Sequence, residues 1–129
     1  GVQRAILGNH DAPHALFEGA SSRQVEWFRH FDSVEHFTRL RIGGKYTVLL
    51  SHFPYDGEGK RDQPDRHVWA RLRDEGVILL HGHTHDSDQR FSLSNKGTPM
   101  VHVGWDAWRR PVSEVDIVRL LDENLAAEG

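Results

Sequence analysis

Apolar positions along the chain come in short runs that change period, and the changes mark out the elements. Val2 to Leu7 reads as a strand that stops at Gly8. A loop follows from Asn9 to Ala20, broken by Pro13 and Gly19. Ser21 or Ser22 then caps a helix whose core-facing side is Val25, Trp27, Phe28 and Phe31. Val34 to Ile42 alternates, halts at Gly43-Gly44, and gives way to the apolar run Tyr46–Leu50, which predicts a hairpin. Residues 55–65 are rich in Gly, Asp and Pro and read as a loop. Asp65 opens a helix with Val68, Trp69 and Leu72 on one face and Gly76 at its end. Val77 to Leu80 is unbroken apolar sequence, as expected of a strand buried on both faces. Arg90–Leu93 and Met100–Val103 predict a second hairpin, turned at Asn95-Lys96-Gly97. Ser113-Glu114-Val115-Asp116 has the form of a capping box before a last helix that runs to about Leu125. Helices alternate with strands, several of them antiparallel, so the fold class is α/β.

Composition narrows the picture. A length of 129 residues suits one domain, 1–129. Hydrophobic residues make up 37%, below the globular average, and four Trp and six Phe partly compensate because each aromatic ring buries a large area. A formal charge of −3 argues against nucleic acid or a membrane surface as the main partner, so nucleic acid enters only as a possible substrate. No apolar run approaches membrane-spanning length and no signal-peptide pattern is present. Cysteine is absent, which removes disulfides and thiolate metal sites and fits a cytoplasmic location. Ten His in a chain of this size raises the expectation of metal.

Three segments focus that expectation: Gly8-Asn9-His10-Asp11, Ser51-His52-Phe53-Pro54 and His81-Gly82-His83-Thr84-His85. Each follows a predicted strand, so each places Asn or His at a strand exit, where the backbone can hold ligands rigidly. Asn oxygen and neutral imidazole nitrogen suit Mn, Fe, Co, Ni or Zn. Residues two apart in extended chain point the same way, which would let His83 and His85 share a metal region. Three converging exits would make a cation pocket from Asn9, His52, His83 and His85. Asp11 also suits capping of the next segment. His81 and His102 read as packed structural histidines, and His14 as a surface loop residue. Lys60, Arg61 and Arg66 read as a solvated loop that would be able to meet phosphate.

In this order, Gly8-Asn9-His10-Asp11, the isolated His52 and Gly82-His83-Thr84-His85 resemble motifs of the calcineurin-like metallophosphoesterases. The tail from Val103-Gly104-Trp105-Asp106-Ala107-Trp108 through Ser113 is similar to that of the superfamily's small bacterial and phage members. The resemblance implies a sandwich of two mixed sheets flanked by helices, with one sheet nearly complete here and residues 2–7 belonging to the other. It implies Asn9, His52 and His83 on one divalent ion, manganese first among the candidates, and His85 on a second. It further implies that His10 protonates the leaving oxygen with Asp11 orienting its ring. Two cations about 3.5–4 Å apart can clamp a phosphate ester for in-line attack by water. The reaction would be hydrolysis of a phosphomonoester or phosphodiester.

The family's Asp-x-His and Gly-Asp-x-x-Asp segments belong upstream of Gly8, where only seven residues stand and none is acidic. The domain is therefore expected to be N-terminally incomplete. An exposed strand at residues 2–7 would invite self-association or an N-terminal partner segment. Two rival readings follow: a non-catalytic metal-binding or protein-interaction domain on the same scaffold, and one half of a split enzyme.

Overall fold

The computed structural model describes residues 1–57, 64–85 and 87–126. Its frame is a five-stranded mixed sheet and a two-stranded parallel sheet with three α-helices, an α/β architecture. The small sheet pairs β1 (Arg4–Ile6) with β2 (Ser33–Glu35), and Leu7 N–H extends the ladder to Glu35 O at 2.9 Å. Helix α1 (Ala20–Trp27) connects the two strands. The large sheet holds β3 (Phe37–Ile42), β4 (Tyr46–Ser51), β5 (Ile78–His81), β6 (Phe91–Leu93) and β7 (Pro99–His102), in the order β3-β4-β5-β7-β6. Its centre, β4-β5-β7, is parallel, and an antiparallel hairpin closes each edge. After β7 come the short α2 (Trp105–Trp108) and the longer α3 (Glu114–Ala126).

The central strands alternate between two buried faces. Val48, Leu80 and Val101 meet Ile117 and Leu121 of α3 on one side. Leu79 and Met100 meet Tyr55, with Leu49 and Leu72 packed alongside, on the other. This is the two-sided burial expected of an unbroken Val77–Leu80 run. The first hairpin turns at Gly43 and Gly44, both at positive φ. At α3 the capping box forms with Asp in place of Glu: Asp116 N–H donates to Ser113 Oγ at 3.1 Å, and Ser113 N–H donates to Asp116 Oδ2 at 3.0 Å.

Four expectations are corrected. The predicted strand over residues 34–42 is two strands, because the chain bends at His36 and sends 33–35 to the small sheet. His36 Nε2 accepts Ala15 N–H at 3.1 Å there, a bond from 21 positions away that alternation cannot reveal. Strand β1 accordingly has a parallel neighbour within this chain. The helix expected from Asp65 shrinks to a 3₁₀ turn, Val68–Ala70. Of its expected apolar face Val68 and Trp69 are exposed, while Leu72 packs against the Tyr55–Leu79–Met100 cluster. Farther on, Asp74 bonds Gly76 N–H, Ser94 Oγ and Thr98 Oγ1, tying the segment to the second hairpin instead of a helical ladder. The Trp27–Phe28–Phe31 group is not core: α1 has no buried residue, Phe28 is exposed, and Trp27 and Phe31 stack on each other half-buried. Helical periodicity identifies an apolar face but not whether another layer covers it.

Candidate metal centre

Parallel pairing sets the carboxyl ends of β4, β5 and β7 along one edge, with Leu50 opposite Leu80 and His81 opposite His102. The residues just beyond those ends therefore gather, which is where open α/β sheets bind ligands. His52 follows β4, Gly82 and His83 follow β5, and Gly8-Asn9 follows β1. Gly82 N–H donates to His52 O at 3.0 Å and fastens two of these exits together.

Asn9, His52 and His83 converge. Asn9 Oδ1 lies 2.8 Å from His52 Nε2, and the His52 and His83 rings are 5.1 Å apart, edge to face. The backbone at Gly8 makes room for this. A Cβ at Gly8 would stand 2.8 Å from His52 Nδ1, too close for any side chain without moving the ring. Beneath the site Phe53 is fully buried, and its ring touches His14, His52, His67 and His83. Burial first, and then the neighbouring His83, hold the His52 pKa down at about 4. At neutral pH His52 is thus an uncharged imidazole, the form that ligates metal.

The remaining candidates are placed as follows. His10 is exposed on the turn after β1. Asp11 Oδ2 accepts Gly8 N–H at 2.7 Å, which closes the turn carrying Asn9 and His10, and its charge acts on His52 and His14. His83 and His85 both adopt left-handed backbone, φ 67° and 53°, so the extended geometry expected to align them does not occur. For non-Gly residues such φ values cost on the order of 1 kcal/mol or more and are found preferentially at functional sites. His85 Nδ1 sits 2.8 Å from Asp106 Oδ2, and its side chain is 82% exposed. His14 is buried rather than on the surface, and its Nδ1 accepts Leu16 N–H. Burial, and next His36, lower its pKa. His81 and His102 are buried and stacked, as expected of packed histidines. Arg66 is exposed, whereas Lys60 and Arg61 lie outside the described residues.

The donor set is two imidazoles and one amide oxygen. Among the described residues no three His, Cys, Asp or Glu side chains group around one point. Amide oxygen and imidazole nitrogen are donor types that suit a borderline transition metal. The 2.8 Å between Asn9 Oδ1 and His52 Nε2 is a hydrogen-bond distance, with the amide oxygen as acceptor. Asp106 was missed at the sequence level because a carboxylate bonded to a histidine 21 positions away leaves no local signature. Among the described residues no helix is long and apolar enough to cross a membrane.

No family model matches the sequence. Similar curated proteins include the Gene 66 protein of Mycobacterium phage D29, 42% identical over 132 residues that take in 97% of this chain and 64% of that protein. The Gene 66 protein of Mycobacterium phage L5 is 41% identical over 136 residues, 100% of this chain and 63% of that protein. The chain thus spans less than two thirds of the length of these relatives, and neither name states an activity. No solved structure matches.

Proposed function

We propose that this chain supplies the Asn and His ligands of a divalent-metal centre that hydrolyses phosphoric esters. The observation that carries this reading is the convergence of Asn9, His52 and His83 at the carboxyl edge of the parallel strands, beside the exposed His10. An uncharged O,N,N donor set suits Mn, Fe, Co, Ni or Zn, with manganese the ion expected first. Bound there, the cation supplies Lewis-acid polarisation of the phosphoryl group. Asn9, His52 and His83 hold it, and His85 serves a second ion. His10 is the general acid for the departing oxygen. Asp11 fixes the turn that presents His10 through its bond to Gly8 N–H. The substrate is a phosphomonoester or phosphodiester, with nucleic acid a partner only in that capacity. Carboxylates for a complete dinuclear centre would come from the part of the longer relatives that this chain does not span, or from a partner polypeptide. A cytoplasmic location belongs to the same proposal.

A second reading, metal binding without turnover, is favoured by the absence, among the described residues, of a carboxylate grouped with Asn9, His52 and His83. Assays of p-nitrophenyl phosphate and bis-p-nitrophenyl phosphate with added Mn²⁺, run on this chain together with the polypeptide segment that supplies the carboxylates of the dinuclear centre, separate the two. Hydrolysis should depend on the metal, stop with chelator, and be lost in His52→Ala and His83→Ala. His10→Ala should slow a poor leaving alcohol more than p-nitrophenolate, since only the former needs a proton in the transition state. Metal-loaded protein without turnover on either ester contradicts the hydrolase and supports the binding domain.

A further inference from the structure

The His85–Asp106 pair is not accounted for by the ligand set. A carboxylate only accepts hydrogen bonds, so the 2.8 Å contact requires the proton on His85 Nδ1. In the neutral ring that makes Nε2 the lone-pair nitrogen of an exposed side chain. Asp106 is itself firmly placed. It lies on α2, whose Ala107 and Trp108 are buried. Trp108 Nε1–H donates to His102 O at the end of β7, at 2.7 Å. The guanidinium groups of Arg90 and Arg110 stand 4.1 and 5.4 Å from the centroid of the Trp108 indole. Arg90 Nε–H also donates to Ala107 O at 3.1 Å. A rigid four-residue helix, rooted in the sheet, thus holds a carboxylate against a loop histidine whose own backbone is left-handed, φ 53°.

We propose that Asp106 is the positioning residue that fixes the tautomer and ring orientation of His85, so that Nε2 is presented to a divalent transition-metal ion. Metal-ligating imidazoles commonly donate their second N–H to a carboxylate, which fixes the ring and raises its basicity. The proposal rests on the metal-centre reading for the role of His85, but the Asp106–His85 geometry stands independently. It also explains why an exposed loop histidine occupies a costly backbone conformation: the anchored carboxylate holds it there.

Long-range proton–nitrogen NMR on ¹⁵N-histidine-labelled protein, metal-free and at mildly alkaline pH, reads which ring nitrogen carries the proton. Wild type should show His85 protonated at Nδ1. Asp106→Ala should move the proton largely to Nε2, and Asp106→Asn, whose amide oxygen still accepts, should keep it at Nδ1. Titration with Zn²⁺ followed at the His85 Nε2 resonance should then show affinity there reduced about 10- to 100-fold in Asp106→Ala. The His52 and His83 resonances should respond as in wild type, and Asp106→Asn should recover part of the loss. An unchanged His85 tautomer in Asp106→Ala overturns the proposal, as does unchanged Zn²⁺ affinity at His85. If Zn²⁺ perturbs no histidine in wild type while the tautomer still follows Asp106, the metal-centre reading is what fails, and the hold of Asp106 on the ring survives it.

Discussion

Asn9 Oδ1 and His52 Nε2, 43 positions apart in sequence, stand 2.8 Å from each other because Gly8 has no side chain to separate their strands. Gly8→Ala tests that dependence. Its Cβ would meet His52 Nδ1 at 2.8 Å and must displace the ring, whereas a Cβ at Gly82 meets the same atom at 3.8 Å, an ordinary contact. Gly8→Ala should therefore destabilise the protein by about 1–3 kcal/mol and weaken metal binding at His52. Gly82→Ala should leave that binding near wild type. Urea unfolding and metal titration of the two variants, side by side, check this; equal effects would remove the steric argument.

Phe53 should matter more than any single surface contact. It is 1% exposed and carries the rings of His14, His52, His67 and His83 around it. Phe53→Ala should cost about 3–5 kcal/mol through the cavity left behind. Phe53→Leu should cost less in stability yet still lower metal affinity, because an aliphatic side chain does not hold the two imidazole edges. Denaturant midpoints combined with calorimetry distinguish the two effects.

Acid should destabilise the metal-free protein. Burial, the largest cause, holds His81 and His52 at about 4, and it also lowers His14. In the unfolded chain these imidazoles titrate near 6.5. Below that pH the unfolded state takes up protons that the folded state refuses, so stability present above pH about 6.5 is lost as pH falls toward about 4. His81 contributes on the order of 3 kcal/mol to that loss, and the more solvated His52 less. Urea midpoints across this range, measured in chelator, should fall steeply. In His81→Phe the slope should be shallower, and a flat wild-type profile would mean these imidazoles are not buried uncharged.

Asp74 should act as a staple of the segment before β5. Removing it takes away the carboxylate that accepts from the Ser94 and Thr98 hydroxyls and Gly76 N–H. Asp74→Ala should cost about 1–3 kcal/mol, with hydrogen exchange accelerated around residues 94–98. Unchanged exchange there would show that the hairpin holds its turn without this carboxylate.

What sequence could reveal here was set by how local each signal is. The strands around Leu50, Leu80 and Val101 announce themselves because their side chains are buried on both faces, and the α3 cap because Ser113 and Asp116 are three residues apart. His52 and His83 were legible as a pair because each stands within two residues of the end of a strand, and parallel pairing of β4 with β5 aligns those ends; Asn9 reaches them from β1, in the other sheet. The break at His36 was hidden because alternation continues through it while a loop amide from Ala15 reaches in from 21 positions away. The helix expected from Asp65 failed because apolar residues at helical spacing say nothing of the competing bonds to Asp74. The mutual alignment of His83 and His85 failed for a backbone reason, since both adopt positive φ without being glycine. Asp106 had no sequence cue because its partner is joined to it only through the fold.

The most direct measurement of the central claim is isothermal titration calorimetry of Mn²⁺ into chelator-stripped wild type, His52→Ala and His83→Ala. Wild type should bind, with binding reduced at least about tenfold in each variant, since the loss of one imidazole removes a ligand from the shell. Thermal unfolding should agree, with Mn²⁺ raising the wild-type midpoint by linkage and leaving the variants nearly unmoved. Wild-type affinity in both variants would contradict the account, because Asn9, His52 and His83 would then share an edge of the sheet without sharing an ion.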